Sequence, residues 1–160
     1  NKLPNSIQIL NIQKVSDDFH ARFHAKKRVY RYIIKNDNNP FNSRYILKSE
    51  VINIKLIKEA IKLFEGEHNF NYFHKKGSQK VYLIKNIYQT SFYKYKDMYI
   101  FKFKANSYLR SQIRLMVGFL LEISKKNLTI EDLNKQLNKE KFIKNYCAPS
   151  HGLYLSKVIY

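Results

Sequence analysis

Apolar and polar residues exchange along this chain with two periods. Residues 7–15 read Ile-Gln-Ile-Leu-Asn-Ile-Gln-Lys-Val, close to the alternation of a strand with one buried face. Asp17 and Asp18 follow as a turn. Phe19, Ala21 and Phe23 then alternate with His20, Arg22 and His24, which reads as more extended chain. Residues 28–35 (Arg-Val-Tyr-Arg-Tyr-Ile-Ile-Lys) are rich in β-branched and aromatic side chains and predict a strand. A polar loop punctuated by Pro40 covers residues 36–44.

The period then changes. Leu56, Ile57, Ala60, Ile61, Leu63 and Phe64 recur at helical spacing within residues 54–64, and Gly66 follows as a stop. Residues 81–94 and 98–104 are two strand runs, and the turn between them holds Lys96 and Asp97, which predicts a hairpin. Asn106 or Ser107 is expected to cap a helix running to about residue 125. A shorter helix follows over residues 130–137, with Thr129 as N-cap and Asp132 as the acid of its first turn. Residues 153–160 close as a strand. No repeat or Pro/Gly-rich linker divides the chain. The sum is an α+β fold in one domain, residues 1–160: a largely antiparallel sheet with helices packed on one face.

Composition narrows the partner. The chain has 160 residues, with 30 Lys and Arg against 12 Asp and Glu, for a net charge of +18. A cation excess of that size points to an anionic polymer, nucleic acid first. Lysine, asparagine and isoleucine are also what an AT-rich coding sequence supplies, so charge alone names no substrate. No window reaches the roughly 18 uncharged apolar residues of a membrane span, so no membrane partner is expected. Cys147 is the single cysteine, which rules out an intrachain disulfide and suits a reducing cytoplasm. The 5 histidines have no metal-ligand spacing, and no metal is expected. The first residue is Asn1 rather than Met. It reads as a cut point, with the chain expected to be a piece of something longer.

Candidate chemistry centres on the long helix. Arg110 and Arg114 are four residues apart, and Arg114 stands between Ile113 and Leu115. An arginine that deep in an apolar helix asks for a carboxylate or phosphate, or else snorkels from a helix edge. Gly118 lies one turn on, where it lowers helix propensity by about 1 kcal/mol relative to Ala; its presence suggests close approach by another backbone or a ligand. Asp17, Asp18, Asp37, Asp97 and Asp132 all sit where turns or caps account for them. None reads as a positioned nucleophile. Tyr30 and Tyr32 fall on one strand face with Arg28, and Arg31 on the other. Aromatic and basic residues so arranged suit base stacking and phosphate neutralisation, though strand tyrosines are equally ordinary core.

These segments resemble the second half of the tRNA pseudouridine synthase A family. Asn1-Lys2-Leu3-Pro4 is similar to its N-x-L-P segment. Asp18 to Phe23 resembles its F-H-A-R-F element, and residues 25–34 its R-x-Y-x-Y segment. Gly66-Glu67-His68-Asn69-Phe70, then Phe73, is similar to G-x-H-D-F-x-x-F. Phe103 to Gly118 resembles F-x-A-x-x-F-L-x-x-x-I-R-x-M-V-G. Ala148-Pro149 and Gly152-Leu153-Tyr154-Leu155 resemble the closing A-P-x-x-G-L-x-L. Asn69 departs from the family's Asp, and Lys85 stands where an Arg is usual; lysine keeps the charge but not bidentate geometry.

The resemblance implies a pseudouridine synthase fold and isomerisation of uridine to pseudouridine in the anticodon stem-loop of tRNA. It implies no cofactor, tRNA as partner and a homodimer. It places Tyr30 at the uridine, Arg114 as supporting active-site residue paired with the nucleophilic aspartate, and Arg22 and Arg110 as substrate-binding residues. That aspartate belongs to a G-R-T-D-A-G-V-H motif preceding N-x-L-P in the family. No Arg-Thr-Asp occurs here, so the N-terminal half and its nucleophile are expected to be absent and the isolated chain inactive. The alternative is a catalytically inactive tRNA-binding module.

Overall fold

A computed structural model describes residues 2–4, 6–37, 40–49, 53–77 and 82–160. Asn1 of the N-x-L-P segment and Val81 of the first hairpin strand lie outside these residues, as do positions 38 and 39 of the polar loop.

The chain forms β1 (Lys27–Lys35), β2 (Leu47–Lys48), α1 (Ile54–Ala60), β3 (Gly66–Asn69), β4 (Ile84–Tyr95), β5 (Met98–Ala105), α2 (Gln112–Ser124), α3 (Ile130–Leu137) and β6 (Leu153–Ile159). The strands make one six-stranded sheet in the order β2-β1-β5-β4-β3, with β6 also paired to β1. All pairings are antiparallel except β1 with β2. The α+β architecture is therefore as the patterning implies.

Cross-strand register explains the core. Tyr32 opposes Phe101, which opposes Phe92, and Tyr30 opposes Phe103. Tyr32, Phe101, Phe103 and Ile34 are fully buried, in one cluster with Ile57 and Phe64 from the α1 region and Met116 and Leu120 of α2. Arg31 alternates out to solvent. The β4–β5 hairpin turns at Lys96, whose φ of 55° is left-handed, and Lys35 meets Asp37 and Asp97 there at 2.9 and 2.5 Å.

Helix α3 has the expected cap. Thr129 accepts from the Asp132 N–H at 3.1 Å, and the Asp132 carboxylate accepts from the Thr129 N–H at 2.9 Å. The 54–64 helix shortens: α1 ends at Ala60 and a 3₁₀ turn, Ile61–Phe64, follows. Gly66, at φ 96°, opens β3 rather than capping a helix.

Three expectations need correction. Residues 7–15 do not form a strand: no described strand pairs with them, and Leu10 and Ile12 are 87% and 85% exposed. Alternation makes a strand only where a partner supplies the ladder. Residues 19–24 are a turn rather than extended chain. His20 Nδ1 accepts from the N–H groups of Arg22 and Phe23 at 3.1 and 3.4 Å, and the His20 carbonyl accepts from the His24 N–H at 2.9 Å. Local imidazole bonds hold a coil that the alternation alone could not show. Finally, α2 starts at Gln112, not near residue 107. Ser111 sits at φ 62°, and the buried Gln112 side chain accepts from the Leu109 N–H at 2.8 Å. Residues 106–111 are thus a loop, so Arg110 and Arg114 do not share a helix face.

The irregular segment 141–149 is strapped across α2. The Ala148 N–H donates to the Arg114 carbonyl at 3.0 Å, and Arg114 Nε returns a bond to the Ala148 carbonyl at 2.6 Å. Tyr32 Oη donates to the Pro149 carbonyl at 2.7 Å. A Cβ on Gly118 would lie 2.0 Å from the Tyr146 carbonyl oxygen. The close approach expected at this glycine is therefore that of a backbone.

Candidate functional site

Strand β1, the start of β4 and the loop after β5 wall a cleft of about 880 Å³. Arg22 enters from the His20-bonded turn, Tyr30 from β1, and Arg110 from the loop before α2. The structure thus brings together three of the four residues singled out from the sequence. The fourth, Arg114, does not line the cleft. It is half-buried under the strap with Nε committed to Ala148, and it makes no ion pair among the described residues.

The walls are stitched by backbone bonds. Asn106 exchanges bonds with Asn86: its N–H donates to the Asn86 carbonyl at 3.2 Å, and its Oδ1 accepts from the Asn86 N–H at 3.2 Å. The Lys75 N–H donates to the Arg110 carbonyl at 3.0 Å. Arg28 lines the cleft but is employed structurally. Its guanidinium donates to the carbonyls of Asn106 (2.9 Å), Ala25 (3.3 Å) and Arg22. This fork closes the turn that delivers Arg22 onto the end of β1.

The lining is cationic and aromatic. Lys26, Lys75 and Lys85 add to the three arginines, and no described lining residue is Asp or Glu. Burial lowers the pKa of Lys85, whose ammonium lies 5.5 Å from the centre of the Tyr82 ring. Tyr30 meets Tyr108 edge to face at 5.2 Å. Burial pushes the Tyr108 phenol well above its ordinary range, and its Oη has no hydrogen-bond partner among the described residues. Tyr32, one residue pair further along β1, is withdrawn into the core; burial raises its pKa, and the nearby Arg114 works in the opposite sense. Chemically, such a cleft can neutralise phosphates and stack a planar base, but it offers no carboxylate for nucleophilic work.

His74, Lys75, Tyr82 and Tyr108 were not legible as site residues. They lie on three separate segments, and nothing local marks them; only the stitching of the 74–77 and 106–111 loops brings them to Tyr30.

Residues 60–160 match the tRNA pseudouridine synthase family model. Among curated relatives, tRNA pseudouridine synthase A of Campylobacter jejuni subsp. doylei is 36% identical over 155 residues, which is 96% of this chain and 64% of the relative. The Helicobacter hepaticus protein of that name is 36% identical over 160 residues, 99% of this chain and 64% of its own. The Phytoplasma mali protein is 35% identical over 160 residues, 99% of this chain and 65% of its own. The chain thus spans a little under two thirds of the length of these relatives. Among solved structures, a Cbf5–Nop10–Gar1 complex is matched over 62% of this chain and 26% of that one, at 13% identity and a TM-score of 0.32, a likeness too slight to argue from. With its sequence blocks in the family's order and the family model matched over most of its length, the chain belongs to the tRNA pseudouridine synthase family.

Proposed function

We propose that this chain is the C-terminal part of an enzyme that isomerises uridine to pseudouridine in the anticodon stem-loop of tRNA. The observation that carries the proposal is the cleft: cations and aromatic rings gather around Tyr30, and no described residue lining it is a carboxylate. In the reaction the N1–C1′ bond breaks, the uracil turns, a C5–C1′ bond forms, C5 loses its proton and N1 gains one. Uracil must leave its stack to react, and Tyr30 offers a ring to receive it. Arg22 and Arg110 hold the flanking phosphates. A carboxylate nucleophile is required for the covalent intermediate at sugar or base, and it comes from a segment outside this chain. Arg114 pairs with it; its guanidinium has donors left beyond the Nε bond to Ala148. No cofactor or metal enters, because the reaction is an isomerisation. The protein works in the cytoplasm. Exposed apolar side chains at Leu10, Ile12 and Leu155 support a homodimer.

The same carboxylate-free lining also suits a tRNA-binding module without catalysis, and one assay separates the two. Tritium release from tRNA labelled at uridine C5 reads the chemistry directly. The isolated chain should release none, and the longer protein carrying the aspartate should release tritium at enzymatic rates. Silence from both would leave the binding module. Release by the isolated chain would mean that one of its own aspartates is the nucleophile.

A further inference from the structure

A second hollow, of about 490 Å³, adjoins the cleft; His74 and Lys75 line both. Its aromatic wall is Tyr72 with Phe142, edge to face at 5.5 Å and 75°. Asn71, Lys76 and Asn145 also line it, and no described lining residue is acidic. Phe142 is 49% exposed although its side chain is large and apolar.

One buried amide holds this wall in place. Gln136 of α3, 1% exposed, donates through Nε2 to the Tyr72 carbonyl at 3.3 Å and the Lys144 carbonyl at 3.0 Å. Its Oε1 accepts from the N–H groups of Ile143 and Lys144, both at 2.9 Å. Lys144 is tied again to Glu122 of α2 at 2.5 Å. The backbone carrying Tyr72 and that following Phe142 therefore hang from one side chain. A ring pair fixed in this way loses little freedom on binding.

An exposed ring beside cations is what a nucleobase and its phosphate need. We propose that this hollow is a stacking subsite for an unpaired nucleotide flanking the one held in the cleft, with Phe142 and Tyr72 as the stacking surface and Lys76 on the adjoining phosphate. The occupant is RNA because the two hollows share His74 and Lys75 and the chain's net charge is +18. The inference rests on the reading of the cleft as a tRNA site.

Binding of a fluorescein-labelled tRNA transcript, followed by anisotropy across a salt series, tests it. Phe142→Ala should weaken binding roughly tenfold, as loss of one base stack does, with the salt slope unchanged. Phe142→Trp, which keeps a π-face, should stay within about twofold of wild type. Lys76→Gln should lower the salt slope by about one. Heparin, a polyanion without bases, should bind Phe142→Ala as it binds wild type. Equal thermal unfolding of wild type and Phe142→Ala would show that the loss is not one of folding, and rescue by Trp shows the same independently. The subsite is overturned if Arg110→Ala weakens tRNA binding while Phe142→Ala does not, or if Phe142→Trp binds as poorly as Phe142→Ala. If neither Arg110→Ala nor Phe142→Ala changes binding, the tRNA reading of the cleft fails and the subsite fails with it.

Discussion

Arg114 is held at both ends of its own residue by Ala148, through its carbonyl at 3.0 Å and its Nε at 2.6 Å. Such clamping fixes where the free guanidinium nitrogens lie, and a fixed arginine suits a fixed carboxylate. In the longer protein, Arg114→Ala should abolish tritium release with only a modest loss of tRNA affinity; a variant with full rate would remove the pairing role. The role proposed for Tyr30 differs, since it would receive a base rather than a charge. Tyr30→Ala should cut the rate and leave the salt dependence of binding nearly unchanged, because stacking releases no counterions. Gly118 has a purely structural assignment. Gly118→Ala adds about 1 kcal/mol of helix propensity, yet its Cβ meets the Tyr146 carbonyl at 2.0 Å. Overpacking against backbone, typically about 1–3 kcal/mol, should win, for a net destabilisation of up to about 2 kcal/mol by denaturant unfolding.

At the scale of elements, the strap over α2 supplies one wall of the second hollow through Phe142 and Asn145. Glu122 anchors it. Burial raises the Glu122 pKa, but the Lys144 ammonium at 2.5 Å and Asn127 outweigh that and leave it below its ordinary value. A carboxylate with a depressed folded pKa stabilises above its unfolded value and loses that contribution as pH falls through the folded one. Glu122→Gln should therefore melt below wild type at neutral pH, and the gap should close below about pH 4. A gap independent of pH would assign the loss to packing instead. Patterning made α3, β1, the β4–β5 hairpin and β6 legible, since each has a clear period and its own caps or turn. It overran at α2 because Asn106 and Ser107 suit a turn as well as a cap, and the choice rests on Gln112 folding back to Leu109.

Across the whole molecule, 30 cationic residues give a field that any polyanion feels. The cleft adds direction to it. Affinity for tRNA should fall steeply with salt, and Arg110→Ala should flatten the slope of log K against log salt by about one. A slope untouched by that substitution would place the phosphate contacts elsewhere. The exposed apolar row from Ile7 to Val15 has neither core nor sheet behind it among the described residues. Its alternation is that of a strand, and sedimentation of the chain should show whether a second copy covers it.

The sequence by itself determined the fold class, the family and the cationic, aromatic character of the candidate cleft. Periodicity, charge and short motifs are local properties that survive without coordinates. It also marked Tyr30, Arg22 and Arg110, which the structure gathers into one cleft. The tertiary structure alone decided that residues 7–15 have no strand partner among the described residues, that Arg110 leaves the helix and Arg114 stays in it, and that Tyr82, Lys85 and Tyr108 share a cleft with Tyr30. Those outcomes depend on contacts between residues far apart in the chain. A backbone ladder needs a second strand, and a cleft needs walls from separate segments, so neither leaves a periodic signature in any one of them.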